Sequence, residues 1–170
     1  MANTQAMTTS FKVDLFNAVH AFNGTGVPAH TVSTADTFKA ALYTAASSLG
    51  ASTTSYTGAV TEVSGTGYAA GGVTVTFGTA PSSSGTTSFL TPSASITYTT
   101  VTLATSFDAM LLYNDTNSGK KSVAVYTFTA QTVAAGTFSL TMPTNDASTG
   151  LLRIAELVSH VHSMGRRHLG

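Results

Sequence analysis

Ala109-Met110-Leu111-Leu112-Tyr113, then Asn114-Asp115-Thr116-Asn117-Ser118-Gly119, then Val123-Ala124-Val125-Tyr126-Thr127-Phe128 is the stretch that decides the fold. The first run is apolar without a break, as expected of a strand buried on both faces. The second consists of residues that turn the chain, Asn and Asp by bonding their own backbone and Gly by its freedom of φ. The third returns as a strand, so the three together predict a hairpin.

Working outward, Val73-Thr74-Val75-Thr76-Phe77 alternates strictly, Ile96 to Val101 does so in the same style, and Thr86 to Leu90 follows a loop at Pro81-Ser82-Ser83-Ser84-Gly85. Gly136 to Met142 is the next strand, and Pro143, Asn145 and Gly150 separate it from Leu151 to Ile154. Near the start, Phe11-Lys12-Val13-Asp14-Leu15-Phe16 alternates apolar and polar residues and predicts a first strand, with a loop over Gly24 to Asp36. Thr37 to Leu49 is ambiguous: Phe38, Ala41, Leu42 and Ala45 make a helical stripe, which composition slightly favours, while Phe38, Ala40 and Leu42 share one strand face. Ala51 to Tyr68 suits a long surface connection with a short strand near Ala59 to Val63. The total of eight or nine short strands predicts an all-β, single-domain antiparallel sandwich or barrel over residues 11–155. Residues 1–10 lack a period and read as an N-terminal arm; residues 156–170 form a C-terminal tail, with Leu151, Ile154, Ala155, Val158 and Val161 also fitting a helical stripe.

Composition narrows the chemistry. Only 8% of the 170 residues are charged, against about 25% in an ordinary domain, and Thr, Ser, Ala and Gly take their place. Seven basic residues balance seven acidic ones, which argues against a nucleic-acid partner whose phosphates would have to be neutralised. The basic excess is confined to Arg153, Arg166 and Arg167. With no Cys there is no disulfide, thiolate nucleophile or Cys-ligated metal. The first residues lack the basic and apolar regions of a signal peptide, and no run of 18 apolar residues could cross a membrane, so a soluble protein synthesised in the cytoplasm is expected.

Candidate constellations are few. Of His160, His162 and His168, the first two would share a face on a strand and be splayed on a helix, and a two-His pair with no acidic cluster beyond Glu156 lacks the three or four ligands that a metal site needs. His20 and His30 with Ser33, Asp14 and Asp36 can be written as a Ser–His–Asp set, but no nucleophile elbow or oxyanion loop frames them. Asn114-Asp115-Thr116-Asn117 could offer oxygens to Ca²⁺, yet no terminal Glu follows at the required spacing, and turn capping explains it together with Asp108 and Asp146. Gly65-x-Gly67 and Gly71-Gly72 are no phosphate loop and read as loop flexibility. Phe11, Phe16, Phe38, Phe77, Tyr98, Tyr113, Phe128 and Phe138 are read as core before any aromatic carbohydrate platform. A polysaccharide-acting enzyme would want a carboxylate pair, and Asp108, Asp115 and Glu62 are the acids whose replacement would test for one. No catalytic residue, cofactor or metal ligand is expected.

Several segments together resemble a family of small virion structural proteins of tailed bacteriophages. They are Phe11 to Leu15, Asp36 to Thr44, Glu62 to Gly72, Leu112 to Thr116 with Lys120-Lys121, Ala135 to Pro143, and Gly150 to Ile154. The resemblance runs from Phe11 to Ile154 and stops at the tail after Ala155. It implies a β-sandwich of jelly-roll type that decorates or cements the capsid surface by binding the major capsid protein, and that self-associates as a homotrimer, with residues 1–10 and the tail as binding elements. It also implies strand for the first half of Thr37 to Leu49. The alternative within the resemblance is a neck, tail or fibre accessory protein, with host glycan as a candidate ligand.

Overall fold

The hairpin predicted around Asn114 to Gly119 is present, and its two strands are far longer than the apolar runs that announce it. The structure, a computed structural model, describes residues 2–16, 19–22, 35–58 and 61–155. In chain order its elements are β1 (Ala6–Met7), α1 (Thr9–Phe16), β2 (Phe38–Thr44), β3 (Val73–Val75), β4 (Ser82–Ser84), β5 (Thr87–Leu90), β6 (Ile96–Asn114), β7 (Ser122–Leu140) and β8 (Leu152–Ala155). They form two antiparallel sheets, of order β1-β7-β6-β2-β3 and β4-β5-β8. The chain is therefore an all-β sandwich, with one short helix among the described residues.

Segments read as separate strands are joined. Ile96 to Val101 and Ala109 to Tyr113 are both β6, and Val123 to Phe128 runs on through β7 to Leu140. Along β6 the main core receives Ile96 and Tyr98, then Val101, Leu103 and Phe107, then Met110 and Leu112. Each step between these sets spans three residues, which in an unbroken pleat would carry the next side chain to the opposite face. Slips in the ladder restore the facing. Tyr98 to Val101 takes three residues on β6 against two on β7, Phe138 to Gly136, with Thr100 at φ 55°. A second irregular stretch surrounds the Phe107–Gln131 pair, before Ala109–Thr127 resumes the ladder.

At the turn end the large sheet is buried on both faces. Phe38, Ala40 and Leu42 of β2 enter the main core, whereas Ala41 and Tyr43 join Leu111, Tyr113 and Val125 in a second cluster beneath Leu49 and Tyr56. The small sheet adds Leu90 and Leu152 to the main core, beside Phe11 of α1. Thr37 to Leu49 is thus strand in its first half.

Three local expectations are corrected. Phe11 to Phe16 is helix: the Phe11 amide donates to Thr8 Oγ1 at 3.3 Å, an N-cap, and Phe11 and Asp14 are the buried positions one turn apart while Val13 is 55% exposed. Within Pro81 to Gly85, read as loop, Ser82–Ser84 is a strand that pairs with β5. The short strand near Ala59 to Val63 reduces, among the described residues, to a single bridge between Glu62 and Tyr43.

Residues 2–10, read as an arm, lie against the domain. Ala6 and Met7 pair with Val125 and Ala124, Thr8 is fully buried, and Asn3 bonds to Thr44, Ser47, Leu49 and Asp108. Most of the Gly24 to Asp36 loop and the tail, residues 156–170, lie outside the described residues. No described helix is long and apolar enough to cross a membrane.

Gly71-Gly72, read as loop flexibility, instead serves a close approach. Gly72 sits at φ 75°, where a Cβ would stand 1.6 Å from the Ala40 carbonyl oxygen on β2. Gly85, in the β4–β5 turn, has φ 57° and open space around it. Gly85→Ala is therefore expected to cost about 1–2 kcal/mol, the left-handed penalty alone. Gly72→Ala adds a backbone collision and should exceed about 3 kcal/mol. Urea denaturation of the two variants measures the difference.

Candidate functional site

The polar groups of this chain gather in two clusters and one turn. The first is centred on Glu62. Its Oε1 accepts from Tyr68 Oη at 2.8 Å and from the Gly71 amide at 2.7 Å, and its Oε2 accepts from Tyr56 Oη at 2.8 Å. Around it Tyr98 Oη donates to the Ala40 carbonyl, Tyr113 Oη to that of Gly71 and Tyr43 Oη to that of Thr57. Rings stack in pairs, Tyr56 on Tyr113 at 4.5 Å and Tyr68 on Tyr98 at 5.9 Å. Burial is the main cause that raises all five phenols, and the Glu62 carboxylate adds to it, after Asp115 in the case of Tyr113; Tyr56 is pushed up to about 12. These hydroxyls stay protonated and act as donors, pinning the Glu62 to Gly72 loop onto β2 and β6, where Thr66 also bridges Thr102.

The second cluster lies beside α1. Asn114 Nδ2 donates to Asp36 Oδ2 at 2.7 Å and stands 3.2 Å from His20 Nδ1. An amide nitrogen can only donate, so Nδ1 is the acceptor and the neutral imidazole carries its proton on Nε2. That nitrogen faces Asp14 Oδ2 at 3.7 Å, beyond hydrogen-bond range. The His20 side chain is 0% exposed and packs among Phe11, Phe22 and Phe38. Burial lowers its pKa, against the opposing pull of Asp14 and Asp36. Asp14, His20 and Asp36, which the sequence places in one stretch, are thus brought together with Asn114; Ser33 and His30 lie outside the described residues.

At the hairpin turn, Asn114 Oδ1 accepts from the Thr116 and Asn117 amides and Asn117 Oδ1 from that of Gly119, so these side chains cap the turn. Asp115 is held below the usual carboxylate range by its bond from Lys120, and then by Lys39 at 3.0 Å. Asp146 caps the Ser148 and Thr149 amides, which lower its pKa, and Asp108 Oδ1 accepts from Asn3 Nδ2. Asp108, Asp115 and Glu62 therefore sit in three different networks. No group of three or more His, Cys, Asp or Glu side chains suited to a metal ion occurs among the described residues. His160, His162 and His168, and Glu156 near them in sequence, lie outside the described residues.

Of the aromatics assigned to the core, Phe11, Phe38, Tyr98 and Tyr113 are buried, and Phe77, Phe128 and Phe138 pack against them in part. The side chain of Phe16 lies outside the described residues. An apolar cleft of about 120 Å³ opens between α1 and the small sheet, lined by Phe11, Leu15, Phe22, Phe89, Leu152 and Ile154. Sequence reasoning missed the Glu62 cluster, because its tyrosines come from β2, β6 and the β2–β3 connection and share no spacing. No family model, curated protein or solved structure matches the chain.

Two outcomes are expected. Tyr68→Phe leaves the Leu42 amide without the hydroxyl that accepts from it, and Glu62 Oε1 with the Gly71 amide as its remaining donor, so it should cost about 1–3 kcal/mol in urea denaturation. For His20, a lowered native pKa means that the unfolded chain takes up the proton first. Its contribution is present above the ordinary value of 6.5 and is lost as pH falls below it. Comparing unfolding free energies between about pH 7.5 and 5.5, His20→Gln should show a shallower decline than the parent chain.

Proposed function

We propose that the chain is a non-enzymatic structural protein of a tailed-bacteriophage virion, which decorates or cements the capsid by binding the major capsid protein. The observation that supports this reading best is where the acidic groups go. Glu62 organises tyrosines, Asp36 and Asp14 face the His20 cluster, Asp108 holds Asn3, Asp115 holds two lysines and Asp146 caps a turn. Apart from Asp14, which stands 3.7 Å from His20, each holds a hydrogen bond or ion pair within the fold, and the exposed strand positions are left to hydroxyls such as Ser82 to Ser84, Thr129, Thr137 and Ser139.

A surface of this kind binds by shape and repetition. Many weak contacts at symmetric sites raise the effective concentration without any one being strong. Uncharged faces also spare neighbouring copies the repulsion that a high like charge would impose. In this reading the sandwich is a jelly-roll-like variant, and the protein resides on the capsid surface.

Quantitative mass spectrometry of purified particles tests the proposal. Decoration predicts on the order of hundreds of copies per particle, matching a symmetric shell. About a dozen copies or fewer would reject it in favour of a neck, tail or fibre location.

A further inference from the structure

We propose that the outer edge of β7 over Gly136–Leu140 is a self-association site, where the same segment of a second copy of this chain adds as an antiparallel strand. The inference does not rest on the virion reading. β1 covers β7 only at Ala124 and Val125, and beyond Tyr126, whose hydroxyl reaches the Leu151 carbonyl, no described strand pairs with that edge.

Unpaired edges are usually blunted by Lys, Pro, other charges or bulges. From Ser122 to Met142 there is no charged residue and no Pro. Bulges are the one device present: the ladder slips at Phe138/Gly136, where the extra residue lies on β6, at several points between Gly136 and Thr127, and at Ala124/Ser122. The pairs Phe138–Tyr98, Ser139–Thr97 and Leu140–Ile96 are in regular register, which leaves the end of β7 as the regular template.

The pattern on this segment selects its occupant. Thr137 and Ser139 are exposed on one face, while Phe138 and Leu140 are half-buried on the other and pack against the main core. An added strand must set apolar side chains beside Phe138 and Leu140 and hydroxyls beside Thr137 and Ser139. The segment run antiparallel to itself does both: with Ser139 opposite Ser139, Phe138 of one copy faces Leu140 of the other. The backbone groups of both edges are paired, the apolar face continues across the junction, and no like charges meet. Such a contact is isologous and closes on a two-fold axis, whereas a three-fold ring would require two different edges to meet.

Sedimentation velocity of the purified full chain over a concentration series tests this, without any capsid present. A reversible dimer is expected. Thr137→Lys with Ser139→Lys changes only exposed side chains, and should weaken self-association about tenfold or more by opposing like charges. Mixing it with the Thr137→Glu, Ser139→Glu variant should restore pairing as a heterodimer. Hydrogen exchange on the unaltered chain gives a second readout should either variant fail to fold: amides of Gly136–Leu140 become more protected as concentration rises. A chain that stays monomeric at every concentration overturns the proposal, as does a trimer. A dimer indifferent to the lysines overturns it too, and so does concentration-independent protection of these amides, which would mean that residues of the same chain cover the edge.

Discussion

The structure depends on one geometric requirement: a strand of 19 residues must keep its apolar side chains toward the same core from end to end. Sheets twist, and a long two-stranded ribbon cannot remain a flat template. β6 meets the requirement by slipping its pairing with β7 and recovering it, and slips occur at both places where the apolar spacing along β6 becomes three residues, Tyr98 to Val101 and Phe107 to Met110. Thr100, a β-branched residue at φ 55°, bears part of the strain. Everything else is arranged around this ribbon. β2 covers one edge at the turn end, the Glu62 to Gly72 loop takes over where β2 stops, and the small sheet and α1 close the core on one face.

The two polar clusters follow from that arrangement. A loop laid across a sheet edge brings backbone groups into the interior, and these need partners there. Tyrosine is well suited, since its ring packs like a core residue and its hydroxyl reaches one carbonyl or carboxylate beyond it. Tyr98, Tyr113 and Tyr68 each serve a backbone group of β2 or of the loop, and the lone carboxylate of Glu62 is tolerable because three donors converge on it. At the other end Asn114, the last residue of β6, ties the hairpin turn to Asp36 and His20 with a single side chain.

Much of this was legible in the residues. The hairpin, the alternating strands and the sandwich class came from period-two patterns and turn residues that act locally. What escaped depends on distant partners. Phe11 to Phe16 alternates like a strand, and only Thr8 at the N-cap and the burial of Phe11 with Asp14 reveal the helix. The joining of Ile96 to Val101 with Ala109 to Tyr113 was hidden by the exposed Ala104-Thr105-Ser106 between them, which looks like an interruption yet lies within the continuous strand. The triad-like grouping of Asp14, His20 and Asp36 was visible in sequence, but Asn114, 94 residues from His20, was not. The glycines of the Glu62 to Gly72 loop advertise freedom, whereas at Gly72 the need is proximity to Ala40.

The N-terminal segment also sets the order in which the chain can be completed. Thr8 bonds to the backbone of Ser122 and Val123 across more than a hundred residues, and Ala6 and Met7 pair beside it. The β6–β7 hairpin needs only its own short turn to close, so its ladder can zip from Asn114 and Lys121 with little loop entropy to overcome. Ala6, Met7 and Thr8 therefore find their β7 partners only once that hairpin has formed, whereas Asn3, Thr4 and Thr9 have theirs in the segment from Thr44 to Ala51. The segment bridges the two, and seating it ties residues more than a hundred positions apart to the end of β2.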